Sequence, residues 1–174
     1  FRSAWALPCL LCTLATPAAA EMTLDLPGVT DGTFSAAQVL SGFGCDGQNL
    51  SPELICSSAP AETKSFIVTV YDPDAPTGSG LWHWSAFDIP ASTTRLDQGA
   101  AMPLGAVQAR NDFSHNQYDG ACPPKGSTHR YVISVFAMPI DRLPLDDTAS
   151  AAMVGFFANS AALDRAVVEV SYGH

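Results

Sequence analysis

Four short stretches hold most of the side chains capable of chemistry. They are Cys45-Asp46-Gly47-Gln48-Asn49-Leu50-Ser51-Pro52, Asp72-Pro73-Asp74-Ala75-Pro76, His83 between Trp82 and Trp84, and Cys122-Pro123-Pro124-Lys125-Gly126-Ser127-Thr128-His129-Arg130-Tyr131. Asp72, Asp74, His83 and His129 supply carboxylates and imidazoles, groups that ligate metals, exchange protons or hydrogen-bond a small polar ligand. They come without a Lys or Arg cluster, so charge-assisted donors for a bare polyanion are few. A zwitterion suits them better. Asp72 would take an ammonium while His83, His129 and loop N–H groups donate to a phosphate, with Pro123 and Pro124 stiffening the turn and donating nothing. Taken singly, the same residues have plainer uses: Asp72 and Asp74 as Asx-turn formers, His83 as a buried imidazole satisfied by a carbonyl, and Asn49, Ser51 and Pro52 as turn residues.

The elements that must position them are mostly strands. Met22–Leu26, Ser65–Tyr71, Trp82–Ile89, Tyr131–Met138 and Ala166–Tyr172 are rich in β-branched and aromatic residues and bounded by Gly, Pro, Asp and Asn. The reactive stretches abut these strands, where a sandwich carries its sites. Ala149, Ala152, Met153, Phe156, Ser160 and Leu163 recur with helical period, and Asp147 or Thr148 stands ready to cap that helix. No repeat, charge run or linker divides residues 21–174. The economical fold is a mainly β sandwich with a helical accessory.

Composition narrows the partners. Eight Lys and Arg stand against seventeen Asp and Glu, a net charge of −9. So acidic a domain repels phosphate backbones, which argues against nucleic acid, and is ill suited to anionic lipid surfaces. Residues 1–20 place Arg2 before an apolar stretch and end in Ala18-Ala19-Ala20, the order of a cleavable export signal, and the apolar run is too short for a membrane span of ~20 residues. The expected product is a periplasmic or secreted protein comprising 21–174 as one domain. Cleavage removes Cys9 and Cys12 and leaves Cys45, Cys56 and Cys122, an odd number that suggests one disulfide in an oxidising compartment. Cys45 and Cys122 lie in Gly- and Pro-rich loop sequence, whereas Cys56 reads as part of a buried strand. The favoured pair is therefore Cys45–Cys122, closing a loop worth roughly 4 to 5 kcal/mol on chain-entropy reasoning.

Four motifs in this order and spacing, CDGQNLSP, DPDAPTGSGLWHW, VQARNDF and GACPPKGSTHRYV, resemble the phosphatidylethanolamine-binding protein family, also called Raf kinase inhibitor-like proteins, and its bacterial periplasmic branch most closely. The likeness runs from about Gly42 to Leu163. It implies two antiparallel sheets in a Greek-key sandwich with peripheral helices, and a small anion pocket at one end. Matched motif by motif, that pocket would be lined by Asp72, Asp74, His83, Cys122, Pro123, Pro124, His129 and Tyr131, and Arg130 would pair with a carboxylate beneath it. The chain departs from the pattern in Ala109, where a Gly is usual, in Cys56, where Trp is common, in Leu81, where animal members carry an aromatic, and in the short segment after the last strand.

The resemblance points to a non-enzymatic binding protein for a phosphorylated or zwitterionic headgroup such as phosphoethanolamine. It also implies a regulated partner protein, a role known as kinase inhibition in animal members. An exported protease inhibitor is the alternative, and a metal-assisted phosphoester hydrolase is a third reading from the carboxylate and imidazole set alone. No cofactor, structural metal or catalytic residue is called for, since G-x-S-x-G, H-E-x-x-H and P-loop motifs are absent. A homodimer is left open. If the imidazoles donate to a phosphate, affinity for phosphoethanolamine falls as pH rises past ~6.5, the ordinary imidazole range, whereas a flat calorimetric titration series across that range would contradict it.

Overall fold

The structure, a computed structural model, describes residues 20–174, so the expected leader lies outside it except for Ala20. In chain order the strands are β1 Thr23–Asp25, β2 Ser41–Gly42, β3 Cys45–Asp46, β4 Leu54–Ser57, β5 Ser65–Asp72, β6 Leu81–Pro90, β7 Arg95–Leu96, β8 Val107–Gln108, β9 Thr128–Met138 and β10 Asp164–Gly173. A 3-10 turn covers Ala36–Gln38, and helix α1 covers Ala151–Ala161.

The main sheet runs β10-β9-β5-β6-β8, a smaller one β1-β4-β7, and β2-β3 is a separate hairpin. Every ladder between these strands is antiparallel. From β6 the chain passes through β7 and β8 and returns on the other side of β5 as β9, the crossover of a Greek-key order. Alternation along the strands divides the interior. Phe66, Val68, Val70, Tyr131, Ile133 and Val135 face the smaller sheet and meet Leu24, Leu54 and Cys56. Ile67, Phe87, Phe136 and Met138 face the other way, toward Val154 and Ala158 of α1.

The expected strands are present, with β9 beginning three residues earlier than Tyr131 and β10 two earlier than Ala166. The helix differs in its cap and in its buried face. Ser150 is the N-cap, its hydroxyl accepting from the Met153 amide at 3.2 Å, while Thr148 folds back on Asp146 instead. The Met153, Phe156 and Leu163 stripe is solvent-exposed, and Ala151, Val154, Gly155 and Ala158 form the buried face. Side-chain size explains the choice. The sheet already presents Trp82, Phe87 and Phe136, so the helix docks through small residues, and a Cβ on Gly155 would stand only 3.3 Å from the Trp82 ring.

Cys45 and Cys122 are joined in a disulfide across 77 positions, and Cys56 is a free, buried thiol in β4. The bridge ties the β2-β3 hairpin to the turn that leads into β9. Replacing both cysteines by Ala is expected to lower the unfolding free energy by up to roughly 4 to 5 kcal/mol, the loop-closure value for this separation, read as a reduced urea midpoint against the oxidised parent.

Candidate functional site

Three neighbouring strands of the main sheet end on one polar cluster. Asp72 is the last residue of the central strand β5, with His129 on β9 to one side and His83 on β6 to the other. His129 shares the face of Tyr131 and Ile133 by simple alternation. His83 reaches that face by a different device. Val70 pairs with Trp84 and Tyr71 with Trp82, so His83 is the extra residue of a β-bulge. A bulge turns consecutive side chains to one side. Trp84 enters the core between the sheets and His83 packs edge-on to Tyr131 at 5.2 Å, while Trp82 lies under Gly155 on the helix side.

Asp72 is 2% exposed and accepts three N–H groups. Oδ1 takes the amides of Asp74 at 2.8 Å and Ala75 at 3.0 Å, an Asx-turn that ends the strand. Oδ2 takes Nδ1 of His129 at 2.7 Å. The loop returns to β6 at Gly80, where any Cβ would meet the Tyr71 hydroxyl at 2.2 Å and the Asp72 carbonyl at 2.6 Å, and where φ is +70°. Only glycine fits that return.

His83 is also 2% exposed. Its Nδ1 lies 2.8 Å from the carbonyl oxygen of Asp119, and since a carbonyl only accepts, the proton is on Nδ1. Burial pushes the imidazole below its ordinary pKa, the nearby carbonyls and carboxylates opposing this more weakly, so the ring is held neutral. Its Nε2 is then a lone pair. It is buried, has no hydrogen-bond partner among the described residues, and stands 4.0 Å from Oδ2 of Asp72. This corrects the donor role expected of His83: its inward-facing nitrogen accepts.

The carbonyl that sets this polarity is itself held firmly. The Asp119 carboxylate takes Nδ2 of Asn111 at 2.7 Å, Nε2 of Gln117 at 3.1 Å and Nδ1 of His115 at 2.9 Å. The Asp119 amide donates to the carbonyl of His83 at 3.0 Å, and Nδ2 of Asn111 reaches the same carbonyl at 3.2 Å. The next residue, Gly120, donates to Oδ1 of Asn49 at 2.7 Å and passes so close to residues 38–40 that a Cβ would meet the Gln38 carbonyl at 2.4 Å.

Above Asp72, His83 and His129 opens a cavity of about 230 Å³. Its remaining walls are mostly apolar: Leu40, Phe43, Ala75, Pro76, Leu81, Phe113, Cys122 and Pro124, with Thr77. Among the described residues no Lys or Arg lines it. Of the residues expected there, Asp72, His83, Cys122, Pro124 and His129 meet at this cavity, and Asp74, Pro123 and Tyr131 are not on its walls. Asp74 turns outward to Arg130, accepting from Nε at 2.9 Å, Nη2 at 2.7 Å and the backbone amide at 2.9 Å, and the guanidinium holds its carboxyl down to about 2. Arg130 thus has its carboxylate partner, at the surface. Pro123 is buried, and its carbonyl lies 3.3 Å from Nδ1 of His174. Tyr131 supports His83 from the core, and burial raises its pKa.

The expected list left out Leu40, Phe43, Phe113 and Asp119. Phe113 is the last residue of the VQARNDF motif and packs against His83 in a tilted arrangement with ring centroids 5.3 Å apart, so the motif was a usable signal for it; Asp119 carries no comparable local signal. Ala109 of the same motif is fully buried and donates its amide to the Ser85 carbonyl at 2.9 Å, so the methyl group is accommodated where Gly is usual. Among the described residues the one group of three metal-ligating side chains within reach of a common ion is Cys45, Cys122 and His174, and its two sulfurs are spent in the disulfide.

Because the folded-state pKa of His83 is depressed, its contribution to stability is complete above the unfolded value of ~6.5 and is lost as pH falls below that value toward the folded one. Urea unfolding between about pH 7.5 and pH 5 is expected to show a falling midpoint, and His83→Gln to flatten the fall, by no more than about 1.4 kcal/mol per pH unit for one proton.

Comparison with known proteins agrees with this geometry. The family model described as phosphatidylethanolamine-binding protein matches residues 30–173. The chain is 44% identical over 167 residues to the UPF0098 protein YbcL of Escherichia coli, covering 92% of this chain and 91% of that one. It is 55% identical over 123 residues to the UPF0098 protein YbhB of the same organism, covering 68% and 78% respectively. The crystal structure of E. coli YbcL, described as a new member of the mammalian PEBP family, superposes with a TM-score of 0.85 over 89% of this chain and 99% of that one. A homologue from Chlamydia trachomatis, 23% identical, shares the fold with a TM-score of 0.73 over 88% of this chain and 98% of that one. With the family model spanning residues 30–173 and YbcL 44% identical over nine-tenths of both chains, the chain belongs to the phosphatidylethanolamine-binding protein family.

Proposed function

We propose that this protein is an exported, non-catalytic binding protein whose cavity over Asp72, His83 and His129 takes a small phosphorylated headgroup, zwitterionic ones such as phosphoethanolamine included. The observation that carries the reading is Nε2 of His83, a buried polar atom with no hydrogen-bond partner among the described residues, at the floor of a cavity whose walls are mostly apolar. A buried acceptor without a partner costs about 1–3 kcal/mol, and a ligand that satisfies it recovers that cost on binding. His129 adds a second contact: Nδ1 is engaged by Asp72, and Nε2 makes no hydrogen bond among the described residues. With Asp72 holding the ring at Nδ1, Nε2 is the His129 atom left for a ligand.

The same geometry speaks for binding without turnover. Asp72 is saturated by three N–H groups, Cys122 is in a disulfide, and His83 points its proton away from the cavity. This leaves no nucleophile–base pair of the kind hydrolysis needs. Export is supported by the Cys45–Cys122 bridge, which persists in oxidising compartments, together with the signal-like order of residues 1–20. A regulatory role would follow if the headgroup belongs to another macromolecule.

The experiment is an NMR titration with phosphoethanolamine that follows the ring signals of His83 and His129. Saturable shifts at millimolar ligand are expected, weakened about tenfold or more in a folded His129→Ala variant that has lost a charge-assisted hydrogen bond. The absence of shifts at millimolar ligand would overturn the reading.

A further inference from the structure

The two sulfurs of the Cys45–Cys122 bridge stand in different surroundings. Cys45 is buried, and its Sγ lies 3.6 Å from Nδ1 of His174. The same nitrogen stands 3.3 Å from the carbonyl oxygen of Pro123, and because neither a carbonyl nor a disulfide sulfur has a proton to give, the proton is on Nδ1. His174 is fixed there through its backbone, its amide donating to the Ser127 carbonyl at 3.1 Å and its carbonyl accepting from the Gly126 amide at 2.6 Å. Cys122 is half-buried, lines the cavity over Asp72, His83 and His129, and has the carbonyl oxygens of Gly42 and Phe43 each 3.8 Å from its Sγ. One sulfur therefore faces a donor and the other two acceptors. Negative charge developing on Cys45 is stabilised and charge on Cys122 is opposed, which makes Cys45 the better leaving group and Cys122 the sulfur open to attack.

We infer that Cys122 is a site of thiol–disulfide exchange with low-molecular-weight thiols, and that the resulting adduct closes the cavity. A thiolate RS⁻ attacks Sγ of Cys122 and forms a new S–S bond there. The Cys45–Cys122 bond breaks, and Cys45 departs with the electron pair as a thiolate that accepts from Nδ1–H of His174. The reaction reverses when that thiolate attacks the adduct and expels RS⁻, so the concentration of free thiol sets how much of the protein is modified. The substituent R stands on the wall beside the His83 and His129 floor, in a cavity of about 230 Å³, and displaces a headgroup from it. The exchange depends on His174 and the two sulfurs alone; only the closure rests on the headgroup reading above.

The test incubates the full oxidised protein with millimolar 2-mercaptoethanol, quenches with acid and locates the adduct by mass spectrometry, with the buried thiol of Cys56 as internal control. The adduct is expected on Cys122 with Cys45 free, forming about tenfold more slowly in His174→Ala and at close to the parent rate in His174→Asn, whose Nδ2 replaces the donor. An adduct on Cys45, or a His174→Ala rate equal to the parent's, would overturn the exchange, and the adduct position in the parent protein decides it even where a variant does not fold. For the closure, Cys45→Ser keeps the adduct from collapsing, and 2-hydroxyethyl methanethiosulfonate places the same group on Cys122. Calorimetry with phosphoethanolamine is expected to show affinity about tenfold or more weaker in the loaded than in the unloaded variant. On the parent protein, saturating phosphoethanolamine is expected in turn to slow adduct formation. Equal affinities, or no protection of a parent protein that binds phosphoethanolamine, would overturn the closure and leave the headgroup reading intact. A parent protein that binds no phosphoethanolamine would overturn the headgroup reading and the closure together, while the adduct position still decides the exchange.

Discussion

The Asp72 carboxylate is the interaction on which the site depends. One oxygen closes the Asx-turn at the end of β5 and the other holds the His129 ring on β9, so a single buried group fixes the end of the central strand, the loop after it and a neighbouring strand. Buried carboxylates are tolerated only when such donors are supplied, because desolvating the charge is costly. Here two of the three donors are backbone amides that the turn aligns. Asp74 adds a second tie from the same loop, reaching the backbone and guanidinium of Arg130 on the outer side of β9. Aspartates two residues apart therefore serve opposite faces of one strand pair.

The next constraint is the bulge at His83. A regular strand would have sent His83 to the face opposite Trp84; the extra residue lets both side chains enter the space between the sheets. The bulge also frees the His83 backbone carbonyl from the ladder, and the Asp119 amide and Asn111 side chain occupy it. The segment from Asn111 to Gly120 is thereby pinned beneath the cavity, with its own carbonyl dictating which nitrogen of His83 carries the proton. The polarity of the floor is thus set by a backbone atom from a different part of the chain.

Around this floor the chain builds apolar walls from its least regular segments. Phe43 at the tip of the β2-β3 hairpin faces Phe113 with ring centroids 6.1 Å apart, and the Cys45–Cys122 bridge anchors the hairpin beside them. The acidity of the molecule is carried elsewhere. A protein with a net charge of −9 presents a cavity whose one carboxylate is fully engaged, so the polarity of its floor is set by local hydrogen bonds and not by the overall charge.

Strand identities, the mainly β class, the disulfide partners and the motif-bearing loops were legible in the residues. Period-2 alternation, Gly and Pro punctuation and the loop setting of Cys45 and Cys122 are local signals that act over a few residues. The helical period of 149–163 was legible too, but its buried face was not, because that depends on how much room the sheet leaves once Trp82 and Phe136 are in place. The same limit applied at the site. The sequence on its own placed Asp72, His83 and His129 among the reactive residues, since strand ends and special turns announce themselves locally. Only the tertiary structure decided that Asp74 looks outward, that Tyr131 lies beneath the floor, and that His83 accepts where it was expected to donate, because each of these turns on a partner dozens of residues away, brought into contact by register, bulge and packing.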